Sequence, residues 1–120
     1  MTLTGGTARS ASDLFRVMRK VKLVLSREEL QALGRIAVTY LAGADMTTMC
    51  EQTIYLQIYK LYDGKLRRLA LAGKPKVSLV IDIIQAWAMW ELIQAIDLDN
   101  WPYEDAAARK IIGEIDKQTA

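Results

Sequence analysis

The sequence contains no histidine and one cysteine, Cys50, with only two prolines and one phenylalanine. Without histidine the commonest general base and the commonest metal ligand near neutral pH are missing. One thiol can form neither an internal disulfide nor a thiolate metal site, and it fits a reducing compartment. Phosphate loops are also wanting, because Gly73-Lys74 lacks the upstream glycine and the following Ser or Thr. Asp97, Asp99 and Asn100 imitate the start of a calcium loop. Trp101 and Pro102 nevertheless stand where a ligand and the required glycine belong, and Ala108 stands where the bidentate Glu belongs. The most hydrophobic stretch, Val77 to Ile96, is broken by Asp82 and Glu91, which argues against a membrane span. The opening MTLTGGTARSASDLF has no continuous apolar core of the export type. The adjacent acids Glu28 and Glu29, and Glu104 and Asp105, fall in first helical turns, where capping and the helix dipole account for them. The expectation is a cytoplasmic, non-enzymatic protein with no catalytic residues, cofactor, metal or membrane partner.

What is present is a core. With 120 residues, 52% of them hydrophobic and 25% charged, the chain suits one globular domain, here residues 13–120 after a mobile arm at 1–12. Residues 20–37, KVKLVLSREELQALGRIA, reappear in outline at 76–93 as KVSLVIDIIQAWAMWELI. Lys20, Val21, Leu23, Val24 and Ala32 recur as Lys76, Val77, Leu79, Val80 and Ala88. Ser26 with Glu29 corresponds to Asp82 with Gln85, and each pair reads as a capping box at the junction of a short strand and a helix. Alternation places Val21, Leu23, Leu25, Val77, Leu79 and Ile81 on one face, predicting that the two strands pair as a ribbon over helices. The fold class is therefore α+β and mostly helical, in repeated strand-helix-helix order (βααβαα). The possible duplicated halves are 20–63 and 76–118 with a linker at 64–75, and a short helix capped by Ser12 or Asp13 precedes the first strand.

Between these landmarks, a helix over about 27–42 carries Leu30, Leu33, Ile36, Ala37, Tyr40 and Leu41, with Gly43 as its stop. The next, from Asp45 or Met46 to Tyr62, has Met46, Cys50, Ile54, Ile58 and Leu61 as its inner row, which makes Cys50 a buried structural thiol. Tyr55, Tyr59 and Tyr62 form the edge of that stripe. Asp63-Gly64 interrupts it, and a basic segment with Leu66, Leu69 and Leu71 adds a turn or two before the Gly73-Lys74-Pro75 loop. The helix over 83–96 is apolar on nearly every side, and Glu91 within it calls for an edge position or a basic partner. A last helix begins near Asn100, takes Pro102 in its first turn, buries Ala108, Ile111, Ile112 and Ile115, and frays after Lys117.

Trp87 and Trp90, three residues apart, cannot both be hidden inside one chain of this size, so a homo-oligomer or a protein partner is expected. Trp87, Trp90, Trp101 and Tyr103 are the interface candidates. Charge is sorted along the chain: from Met1 to Lys22 five bases meet one acid, and from Lys60 to Lys76 six bases meet one, whereas Val77 to Ala120 carries three bases and eight acids. Arg9, Arg16, Arg19, Lys20, Lys22, Lys65, Arg67 and Arg68 are the candidate anion contacts. The stretch VKLVLSREELQAL, with a further helix after Gly43, resembles the ribbon-helix-helix repressors. That resemblance implies a DNA-binding alternative in which paired strands present Lys20, Lys22, Lys76 and Ser78 to the major groove. Asp97, Asp99, Glu104 and Asp105 oppose it, since they sit where such a helix end would meet phosphate. Any nucleic-acid affinity is therefore expected to be weak and electrostatic.

Overall fold

A computed structural model describes residues 20–119 of the chain. The elements run β1 (Lys20–Ser26), α1 (Arg27–Gly43), α2 (Met49–Leu61), a π-helical turn (Tyr62–Leu66), α3 (Arg67–Ala72), β2 (Lys76–Asp82), α4 (Ile83–Ala95) and α5 (Pro102–Thr119). The protein is α+β and mostly helical, with one two-stranded antiparallel sheet. The arm at 1–12, the expected helix after Ser12, and Arg9, Arg16 and Arg19 lie outside the described residues.

The strands pair as the alternation predicts, from Lys20 opposite Asp82 to Ser26 opposite Lys76, with Leu23 facing Leu79 at the centre. Val21, Leu23, Leu25, Val77, Leu79 and Ile81 are all buried, while Lys20, Lys22, Val24, Lys76, Ser78 and Val80 face solvent. A two-stranded ribbon is unstable alone and needs a helical layer on its apolar face. Here that layer is crossed, with α1 packing on α5, α2 on α4, and α5 also reaching β1. The described core is wholly apolar, without a single buried polar or charged residue. Each fully buried Leu or Ile in it contributes roughly 2–3 kcal/mol.

Both strand-to-helix junctions are reciprocal capping boxes. The Ser26 hydroxyl accepts from the Glu29 N–H at 3.1 Å, and the Asp82 carboxylate accepts from the Gln85 N–H at 2.7 Å. A third box, Thr48 with Glu51, starts α2 three or four residues later than Asp45 or Met46 would. The first turn of α2 consequently overhangs the core. Met46 and Met49 are 39% and 83% exposed, and Cys50 is an exposed free thiol rather than the buried one the row suggested.

Three other boundaries differ from the sequence reading. Gly43 is the last residue of α1 and the extended Ala44 ends it; among the described glycines only Gly73, with φ 67°, takes the left-handed conformation. Asp63-Gly64 does not break the helix: the Arg67 N–H donates to the Tyr62 carbonyl five residues back, so the chain inserts one π turn and continues to Ala72. Much of the expected linker at 64–75 is therefore helix, anchored by buried Leu66. At the end of the chain, Trp101 rather than Asn100 holds the position before α5, its carbonyl accepting from the Asp105 N–H at 2.8 Å. That helix continues past Lys117 because Gln118 grips β1, accepting from the Lys22 N–H at 2.9 Å and donating to the Lys22 carbonyl at 2.7 Å.

Candidate functional surfaces

The four aromatic interface candidates do not form one patch. Trp87 and Trp90 line a hollow of about 310 Å³ with Ile83, Ala86, Ile115 and Thr119, at the C-terminal end of α5. Trp101 and Tyr103 lie at the N-terminal end of the same helix. With 18 residues in α5, the two pairs are separated by roughly 27 Å of helix. Trp87 is 37% exposed and Trp90 is half-buried, so neither is wholly hidden, in keeping with their spacing on a helix that is apolar all round. The Trp90 indole N–H is covered and finds no acceptor among the described residues. Glu91 takes an edge position, beside Tyr40, Thr48 and Glu51 in a further hollow.

Trp101 lines an apolar groove of about 490 Å³ between α1 and α3. One wall is a single face of α1, with Leu30, Gly34 and Val38 at helical spacing; the other carries Leu66, Ala70 and Leu71, with Tyr62 between. A Cβ at Gly34 would meet nothing within 4 Å, so the missing side chain leaves a gap in the α1 wall. Leu71 is 81% exposed, and Val38 44%. Helical spacing contains the signal for Leu71, because in a helix holding Leu66 and Leu69 inward, position 71 falls off that face. Gly34 gives no such signal, since its meaning depends on what α3 places opposite.

The rim of this groove is electrically satisfied. Arg35 holds Glu104 at 2.7 Å and Arg67 holds Asp63 at 2.8 Å. The Arg35 hydrogen bond keeps the Glu104 carboxyl below its ordinary range. Across the same side of the fold, Lys110 on α5 holds Glu29 at 2.8 Å. Hydrogen bonds from the Lys110 ammonium and then from the Ser26 N–H push the Glu29 pKa down.

The basic candidates divide as well. Lys20 and Lys22 stand on the solvent face of the ribbon toward one end, and Lys76 stands on it at the other end, opposite Ser26. Lys65 and Arg68 flank its β2 edge, bordering a notch with Ser78, and Lys65 donates to the Val80 carbonyl. Arg68 turns its Nε back onto the Gly64 carbonyl at 2.7 Å. Arg67 faces away into the apolar groove. Of the three candidate bases in the expected linker, two thus reach the ribbon and Arg67 does not.

Among the described residues no three His, Cys, Asp or Glu side chains cluster in a way that could hold a metal ion, and no helix is long and apolar enough to cross a membrane. The chain matches no protein family, no curated protein and no solved structure.

Proposed function

We propose that this chain is a small non-enzymatic binding protein that associates with further copies of itself. One observation carries the reading: the described core closes without an aromatic residue, yet Val38, Leu71 and Trp101 around the α1–α3 groove and Trp87 beside the second hollow remain 36–81% exposed. Apolar area gathered around hollows in this way is what association surfaces present. Sedimentation velocity across a concentration series is the test, with a concentration-dependent shift to a dimer or larger species expected. A single species of 13.5 kDa at the highest concentration would overturn the proposal.

The ribbon's charge favours a second reading, contact with nucleic acid. Lys20, Lys22 and Lys76, with Lys65 and Arg68 at the edge, face one acid of the ribbon, Asp82, whose carboxylate is engaged in a cap. The ribbon-helix-helix resemblance is supported by the register, since residues 56 positions apart in the two similar segments, Leu23 and Leu79, lie directly opposite each other. A duplicated unit folded on itself would produce that central pairing. Two of the four opposing acids are held by this chain's own bases, Glu104 by Arg35 and Asp105 by Arg109. Fluorescence anisotropy with a labelled duplex should show weak binding that collapses as salt rises and falls further in Lys65→Ala/Arg68→Ala. Absence of binding at low salt would dismiss this reading.

A further inference from the structure

We infer that the hollow beside Trp87 and Trp90 is the seat of this chain's own residues 13–19, DLFRVMR, which set their apolar side chains against the two indoles of the same molecule. The inference does not rest on self-association, for which the α1–α3 groove remains open. Two backbone constraints bring the segment to this place. Lys20, where it joins β1, stands opposite Asp82, and Ile83, directly after Asp82, opens one wall of the hollow. Lys22 is held through both its backbone groups by Gln118, and Thr119 beside Gln118 belongs to the other wall. The chain ahead of Lys20 therefore joins the ribbon between the two walls.

Length, apolar spacing and polar chemistry agree with that occupant. From Ile83, Trp87 and Trp90 lie about 6 and 10 Å along α4, and seven residues of helix cover about 10 Å. Leu14, Val17 and Met18 recur at the i, i+3, i+4 spacing by which an amphipathic helix fills an apolar groove, with Phe15 alongside them. Arg19 falls at the edge of that face, next to Lys20. On the rim, Asp116 offers an acid that is in no ion pair among the described residues. The covered Trp90 indole N–H needs an acceptor, and the last carbonyls of a helix ending before Lys20 are free to supply one. A segment tethered at the mouth is present there at an effective concentration on the order of millimolar, which a separate molecule at micromolar concentration does not match.

Cysteine capture in the full chain tests the seat. In a Cys50→Ser background, Val17→Cys with Thr119→Cys should form an intrachain disulfide under mild oxidation, whereas Val17→Cys with Val80→Cys should not. Val80 stands opposite Lys22 on the outer face of the ribbon, so both target positions are close to Lys22 and an undocked segment would be captured at both. Tryptophan emission gives a second readout. In a Trp101→Phe background only Trp87 and Trp90 report. There Val17→Asp should shift emission to the red with helix content by circular dichroism kept, and Thr7→Asp, further out on the arm, should not. Capture at both positions, or emission unmoved by Val17→Asp, overturns the inference. Disulfides formed between chains instead of within them overturn it too, and give the hollow to a second copy. Should Val17→Asp unfold the chain, the cysteine pairs decide alone.

Discussion

Gly34 and Gly73 occupy helical surroundings with opposite demands, and the two make a matched pair of tests. Gly34 lies inside α1 with open space where a side chain would go, so Gly34→Ala should raise stability by roughly 0.5–1 kcal/mol in urea unfolding of the monomer. Gly73 ends α3 at φ 67°, where any Cβ is strained, and Gly73→Ala should lower stability by about 1 kcal/mol. Glu29 ties acid stability to one contact. Its pKa is lowered in the fold, first by the Lys110 hydrogen bond. A depressed carboxylate contributes fully above its unfolded value of 4.5 and loses that contribution as pH falls below it. Glu29→Gln should therefore destabilise the protein at pH 7 and flatten the fall in its thermal midpoint below pH 4.5. The caps at Ser26 and Asp82 were legible because a short polar residue stood three before Glu or Gln at the end of an alternating strand. Thr48 and Glu51 carry the same spacing, but no strand precedes them, and the apolar row through Met46 and Cys50 pointed to an earlier start. Exposure of Cys50 follows from that later start.

The π turn is the element that spacing alone could not reveal. Asp63-Gly64 reads as a break, but the chain widens its helix by one residue and continues, because Leu61 before the turn and Leu66 after it both fit the core. In a strictly α-helical run an extra residue would turn everything beyond it by about 100°, and the wider π turn absorbs it, so that Leu61 and Leu66, five apart, share the core face. Deleting Gly64 should therefore close the π turn into an ordinary α turn that leaves those leucines four apart on the same face, with stability in urea unfolding kept within about 1 kcal/mol. Inserting a second residue after Gly64 should instead swing Leu66 out of the core at a cost of at least about 2 kcal/mol. The paired strands, by contrast, were fully readable. A period of two with one apolar face repeated in KVKLVL and KVSLVI, and each segment ran into a capped helix, which left each strand needing a partner of the same kind. The all-round apolarity of α4 also announced its central place, although not which of its faces would stay open. The groove over Gly34 was not legible at all, since it arises only where α1 and α3, distant in sequence, come side by side.

Across the whole molecule, no unit of strand and two helices encloses its own core, because α1 leans on α5 and α2 on α4. Leu23→Ala and Leu79→Ala, at the centre of the ribbon, should each cost about 3 kcal/mol, and the double variant less than their sum because the residues face each other. Chemical denaturation of the single and double variants measures both statements. The same entanglement bears on how the chain is made. The outer edge of β1 is sealed at Lys22 by Gln118, 96 residues further along. At translation rates of about 5–20 residues per second, KVKLVLS must then wait roughly 5–20 s after leaving the ribosome before that edge is covered. Its ribbon partner is synthesised well before its seal, so for part of that interval the paired strands would trail from the ribosome without Gln118 at Lys22. Neighbouring ribosomes on one message would hold several such edges close together, and the lysines at positions 20 and 22 set like charges on each of them, which opposes pairing between copies.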